Sequence, residues 1–178
     1  SDIIAGAVIG RGNLIRKIRN KLAYLGGTLD PHACFLLHRG MKTLAVRVRY
    51  QNKSAKRIAS VLQEHPAIAE VNYPGLLLHP QYERAEELFR GFGGVLSFEL
   101  KAGSGAVHKF LEKLVLPRVA PSLGGVESLV TLPAATSHSG LSVRERQEMG
   151  ISEGLVRVSV GLEATEDLIE DLLQALEG

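Results

Sequence analysis

The chain has 178 residues, 45% of them hydrophobic and 22% charged, with a formal net charge of +2. That is long enough for one domain, or one domain with part of a second, built around a sizeable core. The near-neutral charge argues against a nucleic-acid partner. A single cysteine, Cys34, excludes an intrachain disulfide and fits a reducing cytoplasm.

The opening "SDIIAGAVIG" is apolar but short, lacks a basic leader and is interrupted by glycine. It reads as neither a signal peptide nor a membrane span. Ile3–Ile9 is predicted to be a buried β-strand, and a chain that opens inside a core strand is expected to be the middle of a larger fold. Asn13–Tyr24 reads as a helix, with Leu14, Ile15, Ile18 and Leu22 near helical spacing. Asp30 and Pro31 supply an N-cap and a first-turn signal for a second helix. Its apolar run from Ala33 to Leu37 predicts burial. A longer helix over Ala45–Gln63, with Val46, Val48, Ile58, Val61 and Leu62 as apolar positions, is expected to bridge two units. Its basic residues between Arg47 and Arg57 alternate with apolar ones and read as a solvated face.

Strands are predicted over Ile68–Tyr73, Gly93–Leu100, Arg118–Ser122, Ser128–Leu132 and Leu155–Val160, with helices over Gln81–Phe89 and Gly103–Leu114. Ser142 and Glu145 have the spacing of a capping box for a short helix to Met149. Thr165 is predicted to cap the last helix, where Leu168, Ile169, Leu172, Leu173 and Leu176 form one apolar stripe. Together these elements predict an α+β domain with a mostly antiparallel sheet covered by helices.

The stretch "PSLGGVESLVTLPAATSHSG", residues 121–140, gathers serines, paired glycines, a glutamate and a histidine. A serine nucleophile needs a base and usually a strained elbow. "SLGGVES" is not G-x-S-x-G, and nothing in the sequence brings His138 to Ser122 or Ser128. "GAVIGRG", Gly6–Gly12, lacks the G-x-G-x-x-G spacing and reads as a tight turn, and no P-loop string occurs. The six histidines form no H-x-x-x-H pair, so no metal site is expected. In "LVRVSVG", Val156, Val158 and Val160 share one strand face, and Leu155, Arg157 and Ser159 the other. Arg157 is then either a solvated strand arginine or a planar, permanently charged fork for a carboxylate. In the second case a serine hydroxyl and backbone N–H groups beside the glycines would complete an anion seat.

The strings "SLGGVES", "LPAATSHSG", "GISEGLVRVSVGLE" and "DLIEDLLQAL" resemble the C-terminal region of the sulfur-amino-acid family of pyridoxal-phosphate (PLP) enzymes. That family includes cystathionine γ-synthase, the cystathionine lyases, methionine γ-lyase and the homoserine sulfhydrylases. "GGTLDPHACFLLHRGMKTL" and "VNYPGLLLHPQYERA" match further signatures in the same order, so the resemblance covers the whole chain. It implies an α/β chain in two parts: residues 1–45 as the tail of the large, aspartate-aminotransferase-like PLP-binding domain, and residues 46–178 as the small C-terminal domain. It implies a PLP-dependent lyase or transferase that eliminates or replaces a group on the β or γ carbon of a cysteine-, cystathionine-, methionine- or homoserine-type substrate. The cofactor would act as electron sink. The Schiff-base lysine and most cofactor contacts would lie upstream of this segment, which itself would supply no catalytic lysine.

The resemblance also implies partners: an amino-acid substrate, the N-terminal remainder of the enzyme, and a homotetramer built as a dimer of dimers. Arg157 matches the arginine that binds the substrate α-carboxylate, and Ser122 the serine beside it. Ser137 falls where many relatives have threonine near the substrate channel, and His138 matches a common family histidine. Glu127 and Ser128 are expected to stabilise the loop. Pro121 departs from relatives that carry glutamate there to meet the amino end of a long substrate, although synthases of other lineages also carry proline. The alternative to an enzyme is a non-catalytic assembly domain, or a C–S lyase module of a larger chain.

Overall fold

The computed structural model describes residues 2–177. By internal contacts the chain divides into two compact units, Ser1–Ala45 and Val46–Gly178.

The first unit contains helices α1 (Gly12–Leu25) and α2 (Pro31–Met41). α1 ends at Gly26, whose φ of 72° gives the left-handed turn that glycine adopts at little cost. α2 starts as its sequence requires: the Asp30 carboxylate accepts from the His32 and Ala33 amides at 2.9 and 3.0 Å, ahead of Pro31 at the first turn. Two expectations fail in this unit. Ile3–Ile9 forms no strand, and Ile4 and Ile9 are almost fully exposed. A strand exists only with a neighbour to satisfy its ladder, and all five described strands lie after residue 46. α2 is not buried either. Only Ala33 is enclosed, while Phe35, Leu37 and Met41 are open to solvent.

Helix α3 (Leu44–Gln63) leads into the second unit. There follow β1 (Ile68–Asn72), α4 (Tyr82–Leu88), β2 (Val95–Leu100), α5 (Ser104–Lys113), β3 (Arg118–Val119), β4 (Leu129–Thr131), a single 3₁₀ turn at Pro133–Ala135, α6 (Val143–Glu148), β5 (Leu155–Ser159) and α7 (Thr165–Leu176). The sheet runs β1-β2-β5-β4-β3. Its pairs are antiparallel except β3 with β4, which is parallel. β2 starts two residues later than predicted because Gly93 sits at φ +90°, outside the extended region. β3 is cut to two residues by the turn that begins at Pro121.

One face of the sheet carries the core. Leu96, Val158 and Val130 lie side by side across β2, β5 and β4, with Phe98 opposite Val156. They pack with Ile58 and Leu62 of α3, Val107 and Phe110 of α5, and Leu168 and Leu172 of α7. Phe98 and Phe110 meet edge to face, with centroids 5.7 Å apart. Side chains of this size each gain about 1.5–3 kcal/mol from burial. In α3, Val46 and Val48 turn out exposed while Ile58 and Leu62 are enclosed, so only the later half of its apolar stripe serves this core.

Of the two predicted caps here, one forms. Ser142 and Glu145 make the reciprocal capping box at α6. At α7 the N-cap is Ala164, without a side-chain cap. Thr165 is already helical, and its hydroxyl is shared with Ser54 of α3 at 2.7 Å. Glu166 and Asp167 in the first turn complement the helix dipole instead.

Candidate substrate-anion site

The sheet face opposite the core bears polar residues at its centre. Ser97, Arg157 and Thr131 stand in one row across β2, β5 and β4. Arg157 is half-buried, and its two strand neighbours, Val156 and Val158, point into the core. The strand's alternation therefore commits the guanidinium to this second face.

Here Arg157 meets the loop between β3 and β4. One terminal nitrogen, Nη2, donates to the backbone carbonyls of Pro121 and Ser122, both at 2.8 Å. Pro121 thus contributes its main chain, a role that proline's missing N–H does not impair. The guanidinium Nε is sealed from solvent and has no hydrogen-bond partner among the described residues. No carboxylate pairs with Arg157 among those residues.

The same loop is held at several further points. Gly124 N–H donates to Ser159 Oγ at 2.8 Å, and Gln51 Nε2 of α3 donates to the Gly125 carbonyl at 2.7 Å. Ser128 is gripped twice by the Glu163 carboxylate, through its amide and its hydroxyl, each at 2.7 Å. Tyr50 of α3 donates to the Glu163 carbonyl at 3.0 Å. Gly161 lies so close to Val126, Glu127 and the Glu163 carboxylate that a Cβ there would collide with all three.

Arg157 and Ser122 are therefore brought together, through the Ser122 carbonyl. Ser137 is not bonded to either. It sits just past the 3₁₀ turn that packs on β5, and its hydroxyl pairs with His138 Nδ1 at 2.8 Å. A short path leads from it to the row of Arg157. Thr136, next in the chain, shares a hydrogen bond of 3.1 Å with Thr131, the cross-strand neighbour of Arg157. Ser128 fits its expected loop-holding part, while Glu127 is exposed. Sequence reasoning missed Gln51, Ser159 and Glu163. For Ser159 a signal existed, because it shares the face of Arg157 two residues on. Gln51 and Glu163 bind backbone or hydroxyl groups far away in the chain and leave no local pattern.

The family profile described as Cys/Met metabolism PLP-dependent enzyme matches residues 1–177. The chain belongs to this family. It is 47% identical over 177 residues to the chloroplastic cystathionine gamma-synthase 1 of Arabidopsis thaliana, covering 99% of this chain and 31% of that protein. It is 46% identical over 179 residues to L-methionine gamma-lyase of Pseudomonas deceptionensis, covering 99% of this chain and 45% of that one. In three dimensions it matches the crystal structure of cystathione gamma lyase from Micromonospora echinospora with a TM-score of 0.89 and 36% identity, over 94% of this chain and 44% of the other. The chain spans less than half the length of these relatives and corresponds to the C-terminal region of such enzymes. The expected α/β architecture with a mostly antiparallel sheet agrees with that match. No described helix is long and apolar enough to cross a membrane.

The family is PLP-dependent. No described lysine bonds to Arg157 or to residues 121–128, and the loop's amides at Gly124 and Ser128 are already spent on Ser159 and Glu163. What remains is one unneutralised guanidinium with a buried, unused donor, which suits a small carboxylate.

Proposed function

We propose that this chain is the C-terminal part of a PLP-dependent lyase or transferase acting on sulfur amino acids, and that its share of the active site is the seat for the substrate α-carboxylate. The observation that carries this reading is the state of Arg157. Nη2 is anchored on two carbonyls, while Nε is buried without an acceptor. Buried donors of this kind are rare and call for a partner, and a bound carboxylate supplies one. Ser122 stands at the rim of the seat, and Ser137 lines its approach beyond the 3₁₀ turn. Holding the carboxylate at a fixed angle orients the bonds at the α carbon, an effect in which a displacement of about 1 Å can cost roughly a hundredfold in rate.

The remaining machinery, including the Schiff-base lysine and the cofactor contacts, belongs in this reading to residues N-terminal to the segment. The complete enzyme would be a homotetramer. The exposed apolar side chains Ile4, Ile9, Tyr24 and Leu25 of the first unit support a covering by the rest of that assembly. The test is Arg157→Ala in the complete enzyme. Loss of a desolvated charge-assisted pair costs on the order of 2–5 kcal/mol, so kcat/KM for the amino-acid substrate is expected to fall by roughly two to three decades. Near-native kcat/KM in a folded variant would remove Arg157 from the active site.

A further inference from the structure

Ser159 is 1% exposed, and its hydroxyl faces the loop rather than the core. It lies two positions beyond Arg157 on the same face of β5. The strand and its continuation meet the loop at successive points. Arg157 holds the carbonyls of residues 121 and 122, and Ser159 holds the amide of Gly124. Gly161 N–H donates to Ser128 Oγ at 2.8 Å, and Leu162 N–H to the Val126 carbonyl at 2.7 Å. Arginine, serine and glycine at alternate positions thus grip the loop like successive teeth.

The middle grip matters most for the seat. Gly124, at φ +76°, is the left-handed turn of the loop and has a backbone that glycine alone leaves so free. It is two residues from Ser122, whose carbonyl anchors the guanidinium. If Gly124 drifts, the Pro121–Ser122 carbonyls drift, and Arg157 Nη2 follows them.

We propose that Ser159 is a positioning residue: by holding the Gly124 amide it fixes the carbonyls that aim Arg157, and so sets how the guanidinium meets an α-carboxylate. This role presupposes the carboxylate seat proposed above. Ser159 touches no substrate and carries no proton in the reaction.

The test uses the complete holoenzyme and two probes. L-norleucine is an amino acid with no leaving group on its β or γ carbon, and pentylamine is the same molecule without the carboxylate. Ser159→Ala removes the acceptor. Ser159→Thr and Ser159→Val share one shape, with and without a hydroxyl, so they decide the matter even where the alanine variant does not fold. One lost hydrogen bond corresponds to about a tenfold change. Ser159→Ala and Ser159→Val are therefore expected to bind norleucine about tenfold more weakly. Pentylamine binding should change by less than about twofold, the amide of Gly124 should exchange faster, and Ser159→Thr should bind norleucine better than Ser159→Val. Equal weakening of both probes, or equal behaviour of the Thr and Val variants, makes Ser159 a packing residue and overturns the proposal. Unchanged norleucine binding in the Ala and Val variants does the same, provided that Arg157→Ala weakens it selectively. If Arg157→Ala also leaves norleucine unaffected, the carboxylate seat itself is wrong, and the positioning role falls with it.

Discussion

Arg157→Lys separates charge from shape at the seat. In the proposed seat one guanidinium serves two tasks. Nη2 is spent on the Pro121 and Ser122 carbonyls, and Nε is buried without an acceptor among the described residues. Lysine keeps the positive charge but concentrates it in one ammonium. That ammonium can reach the loop carbonyls or the carboxylate, but it cannot hold both at the separation a guanidinium spans. A hydrogen bond to a charged group contributes about 1.5–3 kcal/mol, and one decade of rate corresponds to about 1.4 kcal/mol. Arg157→Lys is therefore expected to lose about one to two decades in kcat/KM, less than Arg157→Ala. Stability should change little, by about 1 kcal/mol, because Val156 and Val158 carry the packing on the opposite strand face. Steady-state kinetics on the complete enzyme, paired with thermal melts, measures both quantities. A folded lysine variant with native kcat/KM would show that the planar fork is not used.

Two further substitutions probe the loop beside the seat and the core. Gly161→Ala places a Cβ against the Val126 carbonyl, Glu127 and the Glu163 carboxylate, so the loop must yield. Overpacking of this kind costs roughly 1–3 kcal/mol, and a lowered melting midpoint together with reduced kcat/KM is expected, whereas an unshifted melt refutes the close packing. Tyr73→Phe removes the hydroxyl that donates to the Gly93 carbonyl at 2.9 Å and, more weakly, to that of Asn52 at 3.4 Å, with an expected loss of about 1 kcal/mol at neutral pH. Burial pushes the Tyr73 phenol up from 10.0 to about 12, so its folded-state value lies above the unfolded one. Its neutral form therefore contributes stability that is fully present below about pH 10 and is lost as pH rises towards 12. Denaturant midpoints across that range should fall more steeply for the native protein than for Tyr73→Phe, and parallel slopes would contradict the assignment.

The sequence made periodic elements legible and contacts between distant segments illegible. β5 could be read because alternate valines leave only one way for the strand to face, and α7 because its leucines recur at helical spacing. Ile3–Ile9 misled because an apolar run records a tendency to be buried but not whether a neighbouring strand is present to complete its ladder. The apolar run of α2 misled in the same way. Thr165 carried a cap signal, yet a neighbouring serine on another helix took its hydroxyl, and a distant competitor of that kind leaves no local trace. At the site, Arg157 was visible as a charge on a strand with a valine-rich core face, and Ser122 only through family resemblance. Gln51 and Glu163 stayed hidden because they bind carbonyl, amide and hydroxyl groups, which almost any sequence can offer.

The choice of partners around Arg157 also has a physical logic. Neutral carbonyls orient a guanidinium without cancelling its charge, whereas an ion pair would do both. The chain contains the contrast: Arg146 is paired with Glu153, and its charge is balanced where it stands. Glu163 is engaged by the amide and hydroxyl of Ser128 and so helps to shape the loop, and no described carboxylate pairs with the Arg157 guanidinium. The positive charge stays fixed in direction and unspent. A charge in that condition attracts a carboxylate strongly in a desolvated site, because opposite charges interact more strongly as the local dielectric falls. Introducing an acid within reach of Arg157, for example by Ser97→Asp on the adjacent strand of the same row, is accordingly expected to weaken amino-acid binding by closing the guanidinium on an internal partner, even though the total of favourable contacts in the free enzyme would rise.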